Sequence, residues 1–180
     1  VRHARYGARN ILRENALRRW PLGSYAELAA KLVNYGANVI ITGDAGDAWV
    51  SEAFRGLPVQ DLVGKTELED LLAVYAACDV VVTHDSGPSH LAQLARTPLV
   101  ALFGPTNPHE FLLHLSGGQL FWGGAGLSCR PCYDGKDFAA CSNNVCLQEI
   151  GVDSVYDAVV DVLRRKGNVA PCPHPTGVGG

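Results

Sequence analysis

The segment His84-Asp85-Ser86-Gly87-Pro88-Ser89-His90 lies between two apolar runs, residues 80–82 and 99–103. This pattern predicts a strand that turns directly into a helix. Pro88 suits the first helical turn, where its missing N–H and fixed φ cost nothing, and Ser86 or Gly87 can cap. The free amides of that turn, with the positive end of the helix dipole, face whatever lies beyond the carboxyl end of the strand. A phosphate or diphosphate is the natural guest. Gly104-Pro105-Thr106-Asn107-Pro108 follows the next strand directly, so Gly104 and Thr106 open onto the same edge. Arg18-Arg19-Trp20-Pro21 offers a guanidinium that can clamp a diphosphate bidentately, or else a solvated basic pair beside a buried Trp.

The adjacent His84, Asp85 and Ser86 do not form a hydrolytic relay. Neighbouring residues on a strand point to opposite faces, and the GxSxG elbow is absent. Asp44 and Asp47 follow another apolar run, residues 39–42, where an acidic side chain can take ribose hydroxyls; each is equally suited to forming a Gly-Asp turn. Cys129, Cys132, Cys141 and Cys146 have spacings compatible with a structural tetrahedral zinc site, with reduced thiols or disulfides as the alternatives. No DxD-type metal–diphosphate motif accompanies them.

The elements that must position these groups alternate between apolar runs and helical periods. Residues 24–35 form a helix ended by Gly36, residues 39–42 a strand, residues 45–54 a weaker helix, and residues 59–64 include a brief strand. Thr66 and Glu69 predict a capping box for a helix whose apolar stripe is Leu68, Leu71, Leu72 and Tyr75. Then come the strand at Val80, the helix running to Arg96 and the strand at Leu99. Val155, Ala158, Val159 and Val162 lie at helical spacing, and Gly167 stops that helix. The order predicts an α/β, doubly wound, Rossmann-like parallel sheet. It gives one domain over residues 1–167 with a cysteine-rich insertion at 129–146, and a Pro/Gly-rich disordered tail over 168–180.

Composition bounds the function. The chain has 180 residues, 47% hydrophobic and 18% charged, enough for one substantial core. A formal charge of −3 without any dense Lys/Arg run argues against nucleic acid. No segment has the roughly 18 consecutive apolar residues of a membrane span, and the expected compartment is the cytoplasm.

Residues 84–108, HDSGPSHLAQLARTPLVALFGPTNP, resemble the signature of glycosyltransferase family 9, the ADP-heptose:lipopolysaccharide heptosyltransferases. GARN at 7–10, RRWP at 18–21, TGDAGD at 42–47 and the cysteine-rich stretch at 129–147 agree in order and spacing. The resemblance implies the C-terminal, donor-binding half of an inverting GT-B glycosyltransferase that uses no cofactor for the transfer. It implies that Ser86 and Gly87 hold the donor diphosphate and that Arg18 stands where a basic residue, often Lys, contacts the phosphates. Asp85 would accept hydrogen bonds from donor sugar hydroxyls, and His90 would face the same pocket. A nucleotide-sugar is the implied donor. A lipid-linked or glycan acceptor and the catalytic base would belong to an N-terminal half, and the full enzyme would associate peripherally with the membrane. Residues 1–6 are too polar and Arg-rich for the central strand expected before GARN, so this polypeptide is expected to bind donor without glycosylating alone. The competing readings are a non-catalytic nucleotide-binding or zinc-organised interaction module and, within the enzymes, a GT-B-like epimerase.

Overall fold

The computed structural model describes residues 17–138, 141 and 143–167. GARN at 7–10 and the expected tail at 168–180 lie outside the described residues. Helix α1 (Leu22–Tyr35) ends on Gly36, whose φ of 94° is the left-handed conformation a glycine adopts without a Cβ penalty. Strand β1 (Ile40–Ile41) leads into a 3-10 helix (Ala45–Phe54), and β2 (Gln60–Asp61) pairs parallel to β1. Next come α2 (Leu68–Ala77), β3 (Val81–His84), α3 (Gly87–Leu94) and β4 (Leu99–Phe103). The remainder is α4 (Pro108–Phe111), β5 (Gln119–Trp122), α5 (Val145–Gln148) and α6 (Val152–Lys166). Among the described residues the ladders between these strands are parallel, in the orders β1-β2 and β3-β4-β5, as the alternating pattern predicts.

β4 is the spine. All five of its side chains are completely buried because helices cover both faces. Val100 and Leu102 point into a cluster with Leu28 and Leu32 of α1 and Val155, Ala158 and Val159 of α6. Leu99, Ala101 and Phe103 alternate to the other face, with Tyr75 of α2 and Ala92 of α3. Trp20, fully buried, locks the first cluster: its indole N–H donates to the Ile150 carbonyl at 3.0 Å. Burying that ring without a partner for its N–H would be costly.

Three expectations differ from the structure. The residues forming the capping box of α2 are Glu67 and Asp70 rather than Thr66 and Glu69, with Glu67 N–H donating to Asp70 Oδ2 at 3.4 Å. The helix starts one residue later than the pattern suggests, and Leu68, its first residue, is 64% exposed rather than part of the apolar stripe. The weaker helix at 45–54 is 3-10 in character, and β5 had no counterpart in the sequence reading.

Chain crossings leave no room for a side chain at Gly123, where a Cβ would stand 1.7 Å from the Cys146 carbonyl oxygen. Replacing it with Ala forces backbone apart and is expected to cost about 3 kcal/mol. Gly126→Ala, which meets nothing within 4 Å, serves as the neutral control. Urea unfolding of both variants reads the difference, and equal midpoints would refute the packing argument.

Candidate functional site

The carboxyl ends of β3 and β4 meet on a buried carboxylate. Asp85, 4% exposed, directly follows β3, and its Oδ2 takes two donors. The Thr106 hydroxyl donates to it at 2.8 Å and Arg18 Nη1 at 3.3 Å. Thr106 comes from the loop after β4 and Arg18 from the approach to α1, so one oxygen gathers three separate segments. Pairing offsets the cost of burying the charge. The Arg18 side chain remains 31% exposed, which leaves part of the guanidinium open to a ligand.

Ser86 is the N-cap residue of α3, but its hydroxyl does not cap. It donates back to the His84 carbonyl at 3.1 Å and lies 3.3 Å from Thr83 Oγ1. Gly87 opens the helix in an exposed position, and a Cβ there would meet nothing within 4 Å. Pro88 stands in the first helical turn as expected. His90 is exposed on α3, and among the described residues no hydrogen bond or ion pair joins it to Asp85 or Ser86.

The loop after β4 is braced from behind. The Gly104 carbonyl accepts from the Trp122 indole at 3.1 Å, and the Pro105 carbonyl accepts from the amides of Cys132 at 2.9 Å and Tyr133 at 3.2 Å. Gly104 itself is pressed on Cys146, whose sulfur would stand 2.7 Å from an added Cβ. Arg130 secures the bracing strand: it donates to the Trp122 and Gly123 carbonyls, and its guanidinium carbon lies 4.1 Å from the centroid of the Trp122 ring. The cysteine-rich stretch thus positions Thr106, a role that sequence spacing did not reveal.

The four cysteines of the expected zinc set all lie among the described residues. Cys129 and Cys141 are exposed, Cys132 and Cys146 half-buried, and all are unbridged. Burial raises the Cys146 pKa, with the other three thiols adding to it, so the four share a neighbourhood. Among the described residues, however, no three His, Cys, Asp or Glu side chains are placed to hold a metal. The Cys141 thiol instead donates to the Asn143 carbonyl at 3.0 Å.

Asp44 and Asp47 sit at the carboxyl end of β1 and cap the 3-10 helix reciprocally. Asp44 Oδ1 accepts from Gly46 N–H at 2.7 Å, and Asp47 Oδ2 accepts from Asp44 N–H at 3.2 Å. Burial raises the Asp47 pKa, and the Asp44 charge adds to the shift. Beside them the Arg19 guanidinium lies 5.0 Å from the Trp49 ring centroid.

Comparison with known proteins decides the family. The model of glycosyltransferase family 9 (heptosyltransferase) matches residues 13–138. The chain belongs to that family. Among family 9 relatives, lipooligosaccharide heptosyltransferase 2 of Haemophilus influenzae is 42% identical over 98 residues, covering 51% of this chain and 28% of the relative. The structure of Escherichia coli ADP-heptose lps heptosyltransferase II superposes with a TM-score of 0.66 at 28% identity, over 83% of this chain and 43% of that one. The glycosyltransferase family 9 structure from Veillonella parvula shares the fold, with a TM-score of 0.67 at 22% identity and coverage of 83% and 43%. The chain therefore spans less than half the length of these family 9 proteins. Among the described residues no helix is long and apolar enough to cross a membrane.

Tyr25 is a further site-adjacent group that the sequence did not single out, and its partner is His84. The Tyr25 hydroxyl lies 3.0 Å from His84 Nδ1, and the Tyr25 ring packs edge-on against Trp20 at 4.9 Å. Burial lowers the His84 pKa from 6.5 to about 3, with the Arg19 and Arg18 charges adding to the shift. The unfolded chain therefore binds a proton that the folded chain refuses. The stability that neutral His84 contributes is complete above about pH 6.5 and is lost as pH falls toward about 3. In urea titrations the midpoint is expected to fall more steeply across this window in the parent than in His84→Asn, and parallel curves would refute the assignment.

Proposed function

We propose that this chain is the donor-binding half of an inverting glycosyltransferase of lipopolysaccharide-core synthesis, and that its ligand is an ADP-heptose-like nucleotide-sugar. The observation that carries the reading is the Arg18–Asp85–Thr106 junction beside the open N-terminus of α3. A diphosphate seated there meets the exposed part of Arg18 and the amide of Gly87, both placed to stabilise charge as the nucleotide departs. Asp85 Oδ2 is already engaged, which leaves Oδ1 to accept from a sugar hydroxyl. Asp44 and Asp47 each commit one oxygen to capping and can turn the other to ribose hydroxyls. His90 borders this site only as an exposed residue of α3.

Family membership supports the reading, as does the ADP-heptose named for the Escherichia coli relative. We assign the base that deprotonates the acceptor, and the lipid-linked or glycan acceptor itself, to an N-terminal half, with the reaction on the cytoplasmic side of the membrane. Isolated, the chain then binds donor without transferring sugar.

Calorimetry with ADP-, GDP- and UDP-sugars tests this, with the ADP-sugar expected to bind most tightly. Arg18→Ala removes a charge-assisted contact worth about 2 kcal/mol, a roughly thirtyfold loss of affinity. Gly87→Val places a side chain over the helix amides and should weaken binding similarly while leaving the melting temperature unchanged, since the space there is open. Absence of binding to every nucleotide-sugar would favour the non-catalytic module. Transfer of sugar by the isolated chain would overturn the division into halves.

A further inference from the structure

Part of the cysteine-rich insertion is a short hairpin. Tyr133 and Phe138 face each other across an isolated antiparallel bridge. The turn between them is held from within: Asp134 Oδ1 accepts from the amides of Lys136 at 2.9 Å and Asp137 at 2.8 Å, and the Tyr133 hydroxyl donates to the Gly135 carbonyl at 2.9 Å. Gly135, with a φ of 97°, supplies the left-handed residue that the turn requires. An aspartate followed by a glycine thus fixes the hairpin by local chemistry.

Both ends of the hairpin bear on the Arg18–Asp85–Thr106 junction. At its start, the Cys132 and Tyr133 amides hold the Pro105 carbonyl, next to Thr106. At its end, the Arg18 guanidinium lies over the Phe138 ring, with 5.8 Å between guanidinium carbon and ring centroid. The ring is tied back to the scaffold in series: Phe138 packs on Tyr133 at 4.8 Å, and Tyr133 on Phe111 of α4 at 6.5 Å. Phe138 is half-buried at the end of this aromatic row. Arg18 therefore has two contacts of different kinds. Asp85 Oδ2 accepts from Nη1 at 3.3 Å, and the negative face of the ring attracts the cation. An arginine that clamps an anion from a mobile state gives up rotamer freedom in doing so. Here that ordering precedes the anion, and preorganisation of this kind raises affinity.

We propose that Phe138 is a positioning residue for the donor: its ring holds the Arg18 guanidinium in the orientation met by a diphosphate at the start of α3. This inference rests on the donor-binding reading above and gives the cysteine-rich insertion a part in it. The ring acts through the cation alone, so its effect falls on the diphosphate portion of the ligand and not on base or sugar. A leucine at this position fills space without offering a π face, whereas a tryptophan offers a stronger one.

Calorimetry on the 180-residue chain tests this with two probes, inorganic pyrophosphate and ADP. Phe138→Leu is expected to weaken both by the same factor, about fourfold. Phe138→Trp should bind both at least as tightly as the parent, a result that loss of folding cannot mimic. In an Arg18→Ala background Phe138→Leu should have no further effect, because the ring works through Arg18. Equal losses with leucine and tryptophan, a loss for ADP without one for pyrophosphate, or the same loss in both backgrounds would overturn the proposal. So would binding of both probes that Phe138→Leu leaves unchanged, and the donor reading would then stand. If neither probe binds the parent, the donor reading falls and the role of Phe138 falls with it, so the two failures are distinguishable.

Discussion

A parallel strand has to be covered on both faces, and this domain is organised around meeting that requirement for β4. α1 and α6 cover one side and α2 and α3 the other, with side chains alternating between the two clusters. Covering both faces forces each connection to cross back over the sheet, so β3 and β4 run the same way and finish at the same edge. Asp85 and the loop that carries Thr106 lie at that edge, where the backbone leaves the sheet.

Asp85 shows how the edge is held before any ligand arrives. A carboxylate this deeply buried requires partners, and Arg18 and Thr106 supply them from two other parts of the chain. Part of the Arg18 charge is thereby spent within the protein, and the remainder faces solvent. Thr106 in turn depends on the amides of Cys132 and Tyr133, which fix the preceding Pro105 carbonyl. The cysteine-rich stretch reaches the site through this backbone relay and through Phe138, whose ring centroid lies 5.8 Å from the Arg18 guanidinium carbon.

Helix ends and the turn between β3 and α3 were legible in the sequence because they depend on local chemistry: left-handed glycines at 36 and 167, a proline at 88. Family membership was legible too, from the ordered segments around residues 18–21, 42–47 and 84–108. What escaped was governed by tertiary contact. Gln119–Trp122 carries no strong alternation and becomes a strand because it pairs along β4. The pairing of Tyr25 with His84 joins residues 59 apart, which no periodicity encodes. Spacing likewise does not say that Cys141 turns its thiol to the Asn143 carbonyl. The shift of the α2 capping box by one residue, with Leu68 turned outward, shows how little separates neighbouring helix starts when Thr66, Glu67, Glu69 and Asp70 all offer capping groups.

The hydrogen bond from Trp20 to Ile150 bridges 130 residues. Closing a loop of that length carries its entropy cost before any reward is collected, and such distant contacts slow folding. During synthesis Trp20 and all five strands leave the ribosome before Ile150, so this bond closes only after the described sheet has been made. Final consolidation of the domain is thus a late, C-terminal event. Chains stalled before residue 150 would display the Trp20 ring to chaperones and proteases.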